Sequence, residues 1–323
     1  MKKAAAAAAF LLLVFIASYQ FTNLWFELNW EFRGAPWADL VRGTAPTPFQ
    51  YRALVPCLVR AVSGIRIGER PLVSAGALFF WIQCASTFLL VLATGWWLSC
   101  VFPRRGARVL ALSILLVLPF NYLLDRFLAL RYPSDFPSLL FFTLGLVLLR
   151  RRRWGWFYPL FVVATFNRET TLFLTVVYLL TAWGTEPRRS VGMHLRLQLF
   201  LWIAAKAALF AAYRGNPGSE LVQAHVRQNL EFLSNPRAWP LFFSNLGYLW
   251  LPVLLFRRRI PDRFLRRAAL AVYPYAIGMF LVGNMYELRI YGELIPLVLP
   301  AFLLLVRELA EEEAPPPGEG RTA

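Results

Sequence analysis

The side chains of this chain that could do chemistry stand in short strings between long apolar runs. One string holds Glu27, Glu31 and Asp39, followed by Gln50, Tyr51 and Arg52 within PFQYRALVP. Another has Asp125 and Arg126, then Arg131-Tyr132-Pro133-Ser134-Asp135. The turn Asn167-Arg168-Glu169 comes next, and NMYELRIYGELIP supplies Asn284, Glu287, Arg289, Tyr291 and Glu293. A longer polar loop, 214–238, adds Arg214, Glu220, His225, Arg227 and Glu231. Guanidinium groups bind phosphate oxygens through a planar fork of donors. A neighbouring carboxylate can take the proton of an acceptor hydroxyl. Arginine beside Asp or Glu at the edge of an apolar run therefore suits transfer of a group from a phosphate-bearing carrier. The same residues could instead tie helices together, with Arg52, Arg168 and Arg289 pairing to Asp135, Glu169 and Glu287.

The elements that must position these residues are membrane helices. Of 323 residues, 58% are hydrophobic and only 16% are charged, against about a quarter in a soluble domain. The mean hydropathy is +0.51. Apolar runs of roughly 15–20 residues recur along the chain, continuous rather than alternating, which selects helices over a barrel. The expected fold class is all-α, a polytopic transmembrane helical bundle. About ten spans are predicted by hydrophobic length, near 4–22, 72–98, 107–122, 136–149, 154–166, 170–184, 195–213, 239–256, 268–285 and 291–307. The first is read as an uncleaved span, since no small-x-small site follows its two lysines.

The net charge of +16 does not point to nucleic acid, because the basic residues cluster between apolar runs. Such clusters orient a membrane protein by remaining in the cytoplasm. Lys2 and Lys3, Arg104 to Arg108, Arg150 to Arg153, Arg188 and Arg189, Arg257 to Arg267, and Arg307 all fall on one side if each span is crossed once. Both termini are then cytoplasmic, in a cell-membrane protein with its polar strings on the extracytoplasmic face. Segment 154–184 tests this topology. One long helix would put the two flanking Arg clusters on opposite sides, whereas two short arms joined at Asn167–Thr170 keep them together. The arms are shorter than the roughly 30 Å hydrocarbon core, so the turn and Asp135 should sit below the outer surface and line a protein cavity.

Residues 1–307 are expected to form a single transmembrane domain, with 23–71 as its first extracytoplasmic segment. Glu27 and Glu31 are expected on the wet face of an interfacial helix, and 51–66 on a second amphipathic one. The tail 308–323 reads as a disordered acidic cytoplasmic end. Two histidines and three cysteines without CxxC spacing leave no His-rich or disulfide framework, while a carboxylate-held Mg²⁺ or Mn²⁺ stays open. No internal repeat is evident, which disfavours folds built from duplicated halves.

In this arrangement the chain resembles the GT-C superfamily of membrane glycosyltransferases. The features that carry the resemblance are a first helix leading out of the cytoplasm, the outer segment 23–71, Asp135 after the third span, and the short pair of helices around Asn167-Arg168-Glu169. The resemblance implies a polyprenyl-phosphate sugar donor and a catalytic acid early in the outer segment. Asp39 stands nearest to that position, with Glu27 and Glu31 before it, and Asp135 or Glu169 are alternatives for the base. The implied donor and acceptor contacts are Gln50, Tyr51, Arg52, Arg131, Tyr132, Asn167, Arg168, Glu287, Arg289 and Glu293. The expected partners are the lipid bilayer and a polyprenyl-phosphate-linked sugar, with no nucleic acid. The expected activity is that of a hexosyl- or pentosyltransferase. A lipid or solute transporter, a flippase and a non-catalytic assembly protein are the competing readings.

Overall fold

In the computed structural model 78% of the chain is helical, and among the described residues strands are confined to two-residue pairs, so the class is all-α. The structure describes residues 2–67, 70–125, 128–218 and 223–312. In chain order the first helices are α1 (Lys2–Leu28), α2 (Trp37–Arg42), α3 (Leu54–Ser63), α4 (Ala75–Leu98), α5 (Arg104–Leu110) and α6 (Ser113–Tyr122). Then come α7 (Asp135–Arg150), α8 (Trp154–Asn167), α9 (Phe173–Ala182), α10 (Arg188–Tyr213) and α11 (Val226–Ser234). The last are α12 (Trp239–Ser244), α13 (Trp250–Leu255), α14 (Arg263–Ala268), α15 (Val272–Val282) and α16 (Ile295–Glu312).

Among the described residues six stretches are long and apolar enough to cross a membrane: Ala4–Leu28, Ala75–Leu98, Arg104–Tyr122, Arg188–Tyr213, Arg263–Val282 and Leu288–Glu312. Their burial differs sharply. In the most apolar 18 residues of Leu288–Glu312, 83% of the residues are buried, and this part forms the centre, against 17% in the corresponding parts of Ala4–Leu28 and Arg188–Tyr213. Leu12, Phe200 and Ile203 on those outer helices are more than half exposed. So large an apolar surface is untenable in water but costs nothing against lipid tails.

The other four expected spans are shorter or broken. The segments 136–149, 154–166 and 170–184 are helical but short, as α7, α8 and α9 with the 3₁₀ turn Glu169–Leu172. Segment 239–256 is not one helix at all. Leu246 and Gly247 take left-handed backbone angles, φ 57° and 62°, between α12 and α13. Asn121 holds that break, accepting from the Leu246 amide at 2.9 Å and donating to Asn245 Oδ1 and the Leu288 carbonyl.

Other boundaries move as well. Glu27 lies on α1, which runs to Leu28, while Glu31 lies in an extended pair with Arg131 and accepts from the Trp37 amide. The two acids therefore do not share an interfacial helix; Asn29, bonded to the Trp25 and Tyr122 carbonyls, ends α1 between them. The amphipathic helix in 51–66 is α3, with Val55 and Val59 buried and Leu58 and Arg60 exposed. At the C-terminus α16 continues to Glu312, five residues into the segment expected to be disordered, and Glu312 pairs with Arg259 at 2.9 Å. Residues 313–323 lie outside the described residues, as do Arg126 and Glu220.

The basic strings Arg150 to Arg153 and Arg257 to Arg267 meet the segment before Arg188 and Arg189 at one pole of the bundle. Arg150 donates both terminal nitrogens to Asp262 at 2.8 Å, Arg152 pairs with Glu186, and Arg267 donates to the Trp183 carbonyl. Asp262 also caps α14 through the Leu265 amide. Burial pushes its carboxyl pKa up, but the hydrogen bonds from Arg150 and Leu265 outweigh that and hold it below the usual range. A depressed carboxylate stabilises the fold above its unfolded pKa of about 3.9. That contribution disappears as pH falls through the lower folded value. Asp262→Asn should cost about 1–3 kcal/mol at pH 7. Denaturation midpoints followed from pH 7 to pH 3 should converge for the two proteins below about pH 4.

Candidate functional site

At the opposite pole three of the polar strings meet, each held by backbone contacts of its own. Asp135 opens α7 and is fully buried. Gln83 on α4, also fully buried, grips the turn before it, donating to the Pro133 carbonyl at 2.6 Å and accepting from the Phe136 amide. The second string enters where α8 stops: Arg168 is extended (φ −160°, ψ 138°), which breaks the helix ahead of the Glu169–Leu172 turn. Asn167 clamps this break onto α7 through the Ser134 carbonyl at 3.1 Å and Ser138 Oγ at 2.8 Å. The third is the 3₁₀ helix Leu288–Leu294, every residue of which is buried.

These strings form a buried floor. Arg289 donates to Asp135 Oδ1 at 3.0 Å and pairs with Glu287. Arg168 lies between two carboxylates, 3.9 Å from Asp135 and 3.4 Å from Glu293. Glu293 accepts further hydrogen bonds from Thr170 at 2.7 Å and Tyr275 at 3.4 Å. The second oxygen of Asp135 takes the Tyr132 amide at 3.0 Å.

Above the floor is a more open rim. Arg52 pairs with Glu169 at 3.0 Å, and the Glu169 side chain is 37% exposed. The Lys206 ammonium lies 4.8 Å from the Tyr51 ring centroid, within electrostatic reach of Glu169. Tyr132 joins the two levels, since the Arg289 guanidinium sits 3.8 Å from its ring centroid and that of Arg52 5.6 Å.

Counted together, Arg52, Arg168, Lys206 and Arg289 balance Asp135, Glu169, Glu287 and Glu293. The cluster is formally neutral, which limits the cost of burying it. Its hydrogen bonding is nevertheless incomplete. Arg168 Nε and Nη1, Arg52 Nε and Arg289 Nε carry no hydrogen bond among the described residues. Such buried donors cost about 1–3 kcal/mol each when unmet.

No family model, curated protein or solved structure matches this chain. The site must therefore be read from its own chemistry.

Of the residues singled out from sequence, Asp135, Asn167, Arg168, Glu169, Tyr132, Arg52, Glu287, Arg289 and Glu293 come together here. Three are engaged elsewhere. Asp39 lies on α2, where it pairs with Arg42. Gln50 is fully buried between the Ala45 amide and the Leu40 carbonyl. Arg131 donates to the Phe26 carbonyl and stacks on the Phe26 and Trp37 rings. Tyr51 reaches the rim only as the surface beneath Lys206. No group of three His, Cys, Asp or Glu residues among those described could hold a metal ion.

Of the supports, Lys206 stands out in the sequence as a charge in the middle of an expected span, whereas Gln83, Thr170 and Tyr275 are not singled out. Gln83 and Lys206 each interrupt an apolar run, the signal by which a buried polar residue in a membrane helix can be found. Thr170 and Tyr275 carry no such signal, because both types are common in apolar helices.

Proposed function

We propose that this chain is a membrane glycosyltransferase that moves a sugar from a polyprenyl-phosphate carrier to an acceptor on the extracytoplasmic face. The observation that carries the reading is Arg168, buried between Asp135 and Glu293 with donors unmet, beneath the accessible Arg52–Glu169 pair. The topology behind it has ten crossings, the shorter ones formed by α7 to α9 and the broken α12–α13 pair. All basic strings then face the cytoplasm and the Arg–acid cluster faces outward.

In this mechanism the donor phosphate exchanges for Glu169 on Arg52 and meets Lys206 and Arg168 below. The exchange frees the Glu169 carboxylate to take the proton of the acceptor hydroxyl. The hydroxyl oxygen attacks the anomeric carbon as its bond to the phosphate oxygen breaks. Polyprenyl phosphate leaves with its new negative charge on the same cations. Asp135, with both oxygens engaged, positions Arg289 and Arg168 rather than reacting. Asp39, paired with Arg42 on α2, takes no part in this mechanism.

Purified protein assayed with a panel of polyprenyl-phosphate sugars tests this reading. Arg168→Lys, which keeps the buried positive charge between Asp135 and Glu293, should sharply reduce transfer while the protein remains folded by gel filtration, and Asp39→Asn should leave transfer intact. If wild-type protein neither binds nor turns over any donor on a broad panel, the enzyme reading falls. A non-catalytic assembly protein is the second reading, favoured by the fact that every carboxylate of the cluster has a cationic partner.

A further inference from the structure

The pole opposite the candidate site carries a feature that the transferase reading does not use. A groove of about 580 Å³ opens between the ends of α4, α7 and α8, walled by Trp96, Leu148, Trp156 and Leu160 with Arg151 and Arg153 at one end. Its volume falls within the roughly 300–1,000 Å³ of small-ligand sites. The run Arg150 to Arg153 is divided by its surroundings. Arg150 is neutralised by Asp262, and Arg152 by Glu186. Arg152 takes a left-handed φ of 54°, and the residues on either side of it line the groove. Among the described residues no carboxylate pairs with Arg151 or Arg153. Arg151 is steadied instead by stacking on Trp96, with its guanidinium 5.0 Å from the ring centroid.

We infer that this groove is a binding site for an anionic phospholipid, with an acyl chain along the Trp96–Leu160 wall and the headgroup phosphate between Arg151 and Arg153. The commitment to an anionic lipid rests on charge complementarity: an apolar wall suits a chain, and two guanidinium groups without a carboxylate at its end, that of Arg151 against Trp96 and Cys100 Sγ, suit a phosphate without a compensating ammonium. Orientation alone requires basic residues at this pole, but it does not require an apolar groove that ends on the two arginines of the run Arg150 to Arg153 that have no carboxylate. On the topology proposed above, the groove opens to the cytoplasmic leaflet, where anionic lipids attract basic segments.

The test is binding to the purified full chain in detergent, read by native mass spectrometry and by thermal stabilisation. The probes are phosphatidylglycerol, phosphatidylcholine with the same chains, and inorganic phosphate. Phosphatidylglycerol should bind and raise the melting temperature at concentrations where the other two do not. Arg151→Ala with Arg153→Ala should weaken that binding by about tenfold or more. Leu160→Trp, which fills the groove and leaves both arginines in place, should weaken it to a similar degree. Arg188→Ala with Arg189→Ala removes equal charge at the same pole from exposed positions and should change binding less than about threefold. The inference is overturned if phosphatidylcholine binds as well as phosphatidylglycerol. It is equally overturned if the Arg188/Arg189 pair matters as much, or if Leu160→Trp has no effect, because either result means diffuse surface charge and no built site.

Discussion

Arg289→Ala should destabilise the protein by about 3–5 kcal/mol, the range for breaking a buried ion pair from one side. The guanidinium is 6% exposed and is shared between Asp135 and Glu287. Truncating it leaves two carboxylates in a low-dielectric interior, one of them fully enclosed, with Arg168 as the nearest remaining cation at 3.9 Å from Asp135. The cost comes from the stranded charges rather than from the lost contact. Removing one charge of each sign, as Glu287→Gln with Arg289→Met, leaves Asp135 facing Arg168 and should therefore recover all but about 1–2 kcal/mol. Reversible denaturation in detergent, read by helix content, gives both numbers. A loss below 1 kcal/mol in the single variant would mean that the three groups are not energetically coupled.

The second large effect concerns chemistry. Under the transferase reading, Glu169→Gln should lower kcat by about 10²–10⁴-fold, the usual share of a general base. Glutamine keeps the side chain's length and can still accept from Arg52, so donor binding and stability should change little. Arg52→Ala should act differently, raising KM for the donor by weakening its phosphate contact. The split between the two variants distinguishes a base from a structural partner. If both substitutions change kcat and KM in parallel and by less than about tenfold, Glu169 is an anchor for Arg52 and the base lies elsewhere.

How much of this was legible beforehand depends on the kind of interaction. The break at Arg168 could be read because charge and length conflict there: flanking Arg clusters belong on one side, and a single helix over 154–184 cannot leave them so. The structure has that break, with Arg168 extended between α8 and the Glu169–Leu172 turn. The pairing of Arg52, Arg168 and Arg289 with nearby acids was legible for a related reason, since charges at membrane depth need partners. Asp39 was chosen by position along the chain alone, and position says nothing of where α2 packs. The break at Leu246 was equally out of reach, because it depends on Asn121, more than a hundred residues earlier.

By itself, the sequence determined that this protein is helical, apolar and polarised, with basic strings apart from mixed Arg–acid strings. Those are properties of short windows, set by backbone hydrogen bonding in lipid and by the charge asymmetry of loops. Tertiary structure alone decided which polar residues face one another. It put Arg289 on Asp135, joined Arg52 to Arg289 across the Tyr132 ring, set Lys206 over Tyr51, and left Arg151 and Arg153 without acids. Each of these depends on helices distant in sequence coming within a few ångströms. Short apolar helices of similar composition can pack in many orders, and the order is fixed by close packing around the buried α16.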